Sequence, residues 1–261
     1  MTNMKRHVTL AGIAALGMLA GCNYDKNAVQ QIDGPIASSA VKFFNFGVNT
    51  PSVNFYANDT KMTAISSTTG TESVNGVAPG GVGNGGFYST IAPGTYTLTG
   101  KISATADKDV SISPVSTQIA DAKYYSYYIS GFYNTTSKTA EAFVVEDVLP
   151  AVDPSVAYVR FVNAISNSSA MTLSVKNSST AAVTAIGGAT AYKGASGFVA
   201  IPGGNYDIST RVSGAASDAI TRTAVAFTAG RVYTIGARGD FTVPSTGTAA
   251  TRPQLDNTSN R

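Results

Sequence analysis

The chain has 261 residues, of which 13% are charged and 43% are hydrophobic. Soluble domains carry charge on about a quarter of their residues, so this sequence is poor in charge, but it has enough apolar residues to build cores. Disorder over the whole chain is therefore excluded. The net charge of +3 is small and spread along the chain, which argues against a nucleic-acid partner. The length fits one or two domains.

Residues 1–21 have the features of a secretory signal peptide. Lys5, Arg6 and His7 form a basic start, and an apolar run follows over 8–20. A helix of this length spans about 20 Å, which is too short for the ~30 Å hydrocarbon core of a bilayer. We therefore predict a cleaved leader rather than a transmembrane anchor.

The leader ends in Leu19-Ala20-Gly21-Cys22, which resembles the lipobox of bacterial lipoproteins. This resemblance implies that Cys22 becomes the first mature residue, with its sulfur diacylated and its amine acylated. Several acyl chains hold a protein durably at a membrane. Asn23 follows the cysteine where Asp would favour the inner membrane, so the resemblance implies the outer membrane, facing either the periplasm or the cell surface. The alternative is an ordinary secreted protein with Cys22 near the cleavage site by chance.

Processing at this site would change the chemistry of the chain. It would remove the only histidine, and acylation would occupy the only cysteine. The mature protein would then lack the side chains of Ser-His-Asp and Cys-His nucleophiles, of histidine- or thiolate-ligated metals and haem, and of disulfides. We predict no catalytic residues, no metal site and no cofactor.

The remainder contains two copies of one pattern. Three pairs of segments match in the same order, at offsets of 118, 110 and 108 residues: 41–45 with 159–163, 91–96 with 201–206, and 122–126 with 230–234. Chance would not preserve that order. We predict two homologous domains, 37–149 and 156–243, joined by a proline-containing linker at 150–155.

Each copy shows the period-two alternation of β-strands. Met171, Leu173 and Val175 alternate with polar residues, and Tyr96, Leu98 and Ile102 share one face of another run. Six or seven short strands per copy, separated by turn residues, predict an all-β fold of two tandem immunoglobulin-like β-sandwiches. Each copy is long enough to close its own core.

Three segments fall outside these patterns. Residues 22–36 are polar and irregular, and we interpret them as a lipidated tether. Residues 66–86 form a Ser/Thr/Gly-rich insertion that the second copy lacks, and we expect a mobile loop there. Residues 244–261 have few apolar side chains, so we predict a disordered tail.

The motifs at 159–164 (Val-Arg-Phe-Val-Asn-Ala), at 202–206 (Pro-Gly-x-x-Tyr) and at 229–234 (Ala-Gly-Arg-Val-Tyr-Thr) resemble the bacterial domain-of-unknown-function family 4397. This resemblance implies extracytoplasmic β-rich domains, commonly in tandem and often behind a lipobox. The first copy departs from the pattern where Asp121 and Ala122 replace the Ala-Gly pair. The resemblance implies no activity.

Two patterns that could carry chemistry are better explained by structure. Residues 81–86 satisfy Gly-x-Gly-x-x-Gly, but they lead into a predicted strand at 87–91, whereas a dinucleotide site needs a helix there. Asp107 and Asp109 flank a lysine, and Glu146 adjoins Asp147. Adjacent strand residues point to opposite faces, so we interpret these carboxylates as solvated charges rather than a paired acid and base.

Aromatic residues supply the best candidate surface. Alignment with the second copy predicts that Tyr125 and Tyr127 face the core, so Tyr124 and Tyr128 face outward. Exposed tyrosines suit sugar rings or a protein partner. The alternatives are that these side chains cover a seam between the domains or pack under the 66–86 loop.

Paired positions in the two copies are Lys42 with Arg160 and Asn45 with Asn163. They could form an anion site, but we favour shared folding roles, with the basic side chains snorkelling along a strand face and the asparagines satisfying turn backbone.

These features predict a non-enzymatic envelope lipoprotein that acts in binding, adhesion or scaffolding. Its partners would be the membrane, through Cys22, and a glycan or envelope protein, through Tyr124 and Tyr128. Two alternatives remain open, a hydrolase of envelope glycans that uses carboxylates alone and a structural spacer.

Overall fold

The computed structural model describes residues 38–63 and 75–261. The predicted signal peptide and tether, with Cys22, lie outside these residues. Every regular element described is a strand except one short 3-10 turn at Gly83–Gly86. The described residues include no helix long and apolar enough to cross a membrane.

The first domain folds as a sandwich of two sheets. Val53, Phe55, Leu98 and Tyr127 interleave between the sheets and are fully buried, because alternate strand residues point to the same face. The strands are β1 (Ser39–Asn45), β2 (Val53–Ala57), β3 (Thr60–Lys61), β4 (Gly81–Val82), β5 (Ser89–Ile91), β6 (Gly94–Ile102), β7 (Val115–Ile119), β8 (Tyr124–Asn134) and β9 (Thr139–Glu146). One sheet has the order β3-β2-β6-β7, and the other has the order β4-β1-β8-β9, with β5 also pairing with β1.

The second domain repeats this architecture. Its sheets have the orders β12-β11-β14-β15 and β13-β10-β16-β17, and their inner faces enclose a separate core that includes Phe161, Leu173 and Ile208. The strands are β10 (Val156–Asn163), β11 (Met171–Asn177), β12 (Val183–Thr190), β13 (Val199–Pro202), β14 (Gly204–Val212), β15 (Ile220–Phe227), β16 (Val232–Arg238) and β17 (Gln254–Ser259). The predicted all-β fold with two tandem sandwiches is confirmed.

The strand register shows the repeat residue by residue. β1 pairs in parallel with β8, with Val41 opposite Tyr125, and β10 pairs in parallel with β16, with Val159 opposite Tyr233. These are the residues that the sequence offsets align. The two copies therefore share the central strand pair that brings their first and last motifs together.

The prediction of a disordered tail is wrong. Residues 254–259 form β17, which pairs antiparallel with β16, with Ser259 opposite Tyr233 and Gln254 opposite Arg238. Leu255 is buried in the second core. β17 is polar because most of its side chains lie outside that core, so its order comes from backbone pairing and one apolar anchor. It occupies the place that β9 has in the first domain.

The expected mobile loop at 66–86 is also wrong in its described part. Gly81 and Val82 form β4, which pairs with Asn45 and Phe44 of β1. The part of the insertion at 66–74 lies outside the described residues. The described end of the insertion therefore extends the sheet.

The outer faces of two sheets pack against each other, so the domain pair has four β-layers. Phe44 and Tyr128 of the first domain form a buried cluster with Val162 and Ala164 of the second. Ala37–Arg261 is accordingly one compact unit. Most candidate residues lie in or beside this covered interface between the domains, the seam.

Candidate functional site

The alternation predicted for β8 is confirmed, but only one of its two outward tyrosines is exposed to solvent. Tyr125 and Tyr127 lie in the first core. Tyr124 is 38% exposed, but Tyr128 is 0% exposed. Tyr128 does point away from its own core, but the second domain covers that face. Its assignment as a surface binding residue is therefore wrong, and the alternative that it covers a seam between the domains is confirmed.

The seam holds large rings from one domain against small residues of the other. The Tyr128 ring stacks between Phe44, at 4.4 Å between centroids, and Phe143, at 5.0 Å. Opposite them, Gly236 leaves space for Phe46, because a Cβ at Gly236 would lie 2.7 Å from the Phe46 ring. Aromatic packing at this distance contributes beyond its buried area. The faces of the two sheets that meet at the seam are thus complementary in shape.

Arg160 crosses from the second domain and binds Asp147 of the first. Both side chains are almost fully buried. Arg160 Nη2 donates to Asp147 Oδ1, and Nη1 donates to the backbone oxygen of Glu146 at 3.4 Å. The other carboxylate oxygen, Oδ2, accepts from Ser126 Oγ at 2.7 Å and from the Tyr88 hydroxyl at 2.5 Å. Both oxygens of Asp147 are therefore hydrogen-bonded within the domain pair.

Lys42 crosses the seam in the opposite direction, from the first domain to the second. Its Nζ reaches the end of β17 in the second domain and donates to the backbone oxygen of Ser259 at 2.5 Å. Lys42 Nζ also lies 4.3 Å from the centroid of the Tyr88 ring, as the Arg160 guanidinium lies 4.9 Å from that of Phe198. The predicted snorkelling is wrong, because these basic side chains are buried between the domains.

Asn260 takes the place in the second domain that Asp147 has in the first. The Asp147 N–H donates to the backbone oxygen of Tyr124, and the Asn260 N–H donates to that of Val232, both at 2.7 Å. Asn260 Oδ1 accepts from Thr234 Oγ1 at 2.7 Å. The seam network is therefore nearly two-fold symmetric in position but not in charge, since it contains two basic side chains and one carboxylate.

The seam shifts the titration of its own groups. Burial lowers the pKa of Lys42 to about 8; the charge of Asp147 opposes this shift, and that of Arg160 adds to it. Burial, together with the charge and hydrogen bond of Asp147, raises the pKa of Tyr88. Desolvation favours the neutral forms of both lysine and tyrosine.

The paired asparagines have the structural role that the sequence predicts. Asn45 Nδ2 donates to the backbone oxygens of Pro51, at 3.1 Å, and Val77, at 2.9 Å. Asn163 Oδ1 accepts from the N–H of Ile165 at 3.0 Å. Both side chains satisfy backbone groups in the segments that follow β1 and β10.

Tyr124 lines an open cleft of about 380 Å³ beside the seam. Its ring packs edge-to-face on Tyr88, with centroids 5.2 Å apart. Lys123 and Glu146 form an exposed ion pair at 2.8 Å in the same cleft, and Arg261 completes the wall. An amphipathic ring beside exposed charges can bind a sugar or a polar protein segment.

A second cleft of about 360 Å³ lies on the other side of Asn260 and Arg261. Phe87, with 77% exposure, and the exposed Arg231 line it. The side chain of Lys42 reaches its floor. The two clefts adjoin at the residues that follow β17.

The remaining sequence motifs do not form a further site. Residues 83–86 make a 3-10 turn after β4 and lead into β5, so the strand predicted after the glycines is confirmed. Asp107 is exposed and ion-paired with Lys138 at 2.6 Å. Asp147, by contrast, is buried, so its interpretation as a solvated charge is wrong. Across 38–63 and 75–261, no three or more His, Cys, Asp or Glu side chains are grouped to hold a metal ion.

Sequence reasoning missed Tyr88, Asp147 and Asn260 as members of one network. A signal for Tyr88 was present, because the offset of 110 that aligns Ile91 with Ile201 also aligns Tyr88 with Phe198. Asp147 and Asn260 carry no such signal, since their similarity is positional and their side chains differ.

Comparison with known proteins agrees with the repeated architecture. The sequence profile of one family, described as Domain of unknown function (DUF4397), matches residues 39–174 and again 157–260. The second match extends through β17, which supports that strand as part of the repeat. No curated protein matches the sequence. The chain belongs to the DUF4397 family and carries two tandem copies of its domain.

Proposed function

We propose that this protein is a non-enzymatic lipoprotein of the bacterial outer membrane that acts as a binding or scaffolding module. The acyl chains on Cys22 would anchor it, and the domain pair would present its surfaces to a glycan or an envelope protein. The lipobox and leader support the anchor, and the packing of the domains into one unit suits a scaffold.

The hydrogen bonds of Asp147 are the observation that favours binding over hydrolysis. Glycan hydrolysis by carboxylates needs an acid and a base that can reach a substrate. Both oxygens of Asp147 are taken by Arg160, Ser126 and Tyr88, and its neighbour Glu146 pairs with Lys123. The open part of the cleft presents Tyr124 and a single ion-paired carboxylate, which favours recognition over hydrolysis.

The anchor is tested by replacing Cys22. We expect wild-type protein to incorporate labelled palmitate and to fractionate with the outer membrane, and we expect the Cys22→Ser variant to do neither. Mass spectrometry of the mature N-terminus gives the acylation state directly. An unacylated Cys22 in native protein, or an intact leader, would disprove the anchor.

Binding is tested at Tyr124 alone, because the buried Tyr128 would perturb the fold. Isolated envelope glycans and cross-linked envelope proteins from intact cells are compared for wild type, Tyr124→Ala and Phe132→Ala. Phe132 is a matched control, since it is 46% exposed near the other end of β8. We expect only Tyr124→Ala to weaken an interaction. Equal binding by all three proteins would exclude the Tyr124 cleft and favour the spacer alternative.

A further inference from the structure

The linker between the domains is an exposed apolar segment. Val148, Leu149, Pro150, Ala151 and Val152 follow one another without a polar side chain. Val148 is 69% exposed and Val152 is 68% exposed, two of the highest values for large apolar side chains in the described chain. A linker that faces only water gains nothing from such residues, so this run favours an apolar partner.

This segment lies at the end of the domain pair where residues 22–36 join it. The N–H of Ala40, at the start of β1, donates to the backbone oxygen of Lys123 at 3.0 Å, and the Asp147 N–H donates to that of Tyr124 at 2.7 Å. Val148 is therefore two strands from the point where the preceding segment arrives. Arg261 Nη2 holds the linker at this end by donating to the backbone oxygen of Pro150 at 2.8 Å.

The length of the preceding segment limits how far this end can lie from an anchored Cys22. Sixteen residue steps separate Cys22 from Ser38, and a chain of that length spans at most about 55 Å when fully extended. The opposite end of the domain pair lies farther away by the length of the strands, roughly 25 Å for eight residues. Because the chain enters the domain pair at the linker end, that end stays within about 55 Å of an anchored Cys22, whereas the opposite end can lie up to about 80 Å away.

We propose that Val148–Val152, the apolar part of the segment that joins β9 to β10, is a membrane-contacting loop that seats the domain pair on the headgroup boundary of the bilayer. This inference rests on the proposed function, because it needs the acyl anchor at Cys22. The contact is apolar rather than electrostatic, since the charged residues around this segment are of both signs. They include Lys123, Glu146 and Arg261 in the adjoining cleft and Asp153, which follows Val152.

The test places a fluorescent probe at one position of the full acylated protein. Acylation blocks Cys22, so Val148→Cys and Val152→Cys each provide a unique thiol for a polarity-sensitive dye. Phe132→Cys is the matched control, because Phe132 is 46% exposed and lies near the end of β8 that is opposite to Tyr124 and the linker. The labelled proteins are reconstituted in phosphatidylcholine vesicles with and without brominated acyl chains.

We expect brominated lipid to quench the probes at 148 and 152 by several-fold and to leave the probe at 132 unchanged, with little effect of salt or of added phosphatidylglycerol. Vesicle-bound protein with no quenching at 148 and 152, or with equal quenching at all three positions, would overturn the loop but leave the anchor intact. Failure of the acylated protein to float with vesicles, or equal flotation of Cys22→Ser, would instead contradict the proposed anchor.

Discussion

Lys42 and Arg160 occupy equivalent positions in the two domains, and each crosses the seam to the segment that ends the last strand of the other domain. Arg160 finds the carboxylate of Asp147, whereas Lys42 finds the backbone oxygen of Ser259. The partner of Arg160 is charged, whereas the partner of Lys42 is neutral. This difference between the partners has measurable consequences for stability.

Removing the guanidinium of Arg160 should strongly destabilise the domain pair. Arg160→Ala would leave Asp147 buried without its counter-ion, and breaking a buried pair on one side costs about 3–5 kcal/mol. Chemical denaturation followed by circular dichroism measures the free energy of unfolding. The control is Arg211→Ala, which breaks an exposed pair with Asp218 and should cost no more than about 1 kcal/mol. Equal losses in the two variants would contradict the assigned role.

Because of Lys42, the free energy of unfolding should increase as the pH rises from about 7.5 to 9.5. Its folded pKa is about 8, below the ordinary 10.5, so the unfolded chain binds more protons in this window and stability increases with pH. Each unit of pKa shift corresponds to about 1.4 kcal/mol between the protonation states. We expect a gain of about 1–2 kcal/mol relative to Lys42→Met.

The comparison uses urea unfolding of wild type and Lys42→Met at several pH values. Staying below pH 9.5 avoids the titration of the seam tyrosines. Parallel stability curves for the two proteins would show that Lys42 keeps an ordinary pKa in the folded state.

Gly236 should tolerate no side chain, because the ring of Phe46 occupies the space beside it. Gly236→Ala would place its Cβ 2.7 Å from Phe46 Cε2, and overpacking of this kind costs about 1–3 kcal/mol. Gly188→Ala, with nothing within 4 Å of the new Cβ, should change stability by less than about 0.5 kcal/mol. Thermal unfolding of both variants and of Gly236→Ala/Phe46→Leu provides the measurement. Failure of the double variant to recover stability would argue against this contact.

Leu255 should be essential to the second domain although the surrounding sequence is polar. It is 3% exposed within the second core, so Leu255→Ala should cost about 2–5 kcal/mol. Val183→Ala removes an exposed side chain and should have little effect. Hydrogen exchange on wild type should also show protected amides in β17, whereas rapid exchange of 254–259 would restore the disordered tail.

Local sequence patterns predicted the strands of each domain and the residues that face its own core. The period-two runs identified the strands, and the ordered offsets identified two copies with Tyr125 and Tyr127 facing inward. The same patterns could not distinguish a face exposed to water from a face covered by another sheet. For that reason Tyr124 and Tyr128 looked alike, and Lys42 and Arg160 looked like surface cations.

β17 shows the same limit from another side. Its residues, Gln254–Ser259, carry one buried apolar anchor, and its order depends on backbone hydrogen bonds to β16 rather than on its own side chains. The repeat offered a clue, because the bounds 156–243 leave the second copy without a counterpart to β9.

The sequence by itself determined the all-β class and the duplication, since each follows from residue type and local spacing. Only the tertiary structure decided that the copies pack through the outer faces of the β1 and β10 sheets and that Asp147 pairs with Arg160. It also decided that a polar C-terminal segment completes a sheet. These contacts join residues remote in the chain, and burial there depends on which surfaces meet.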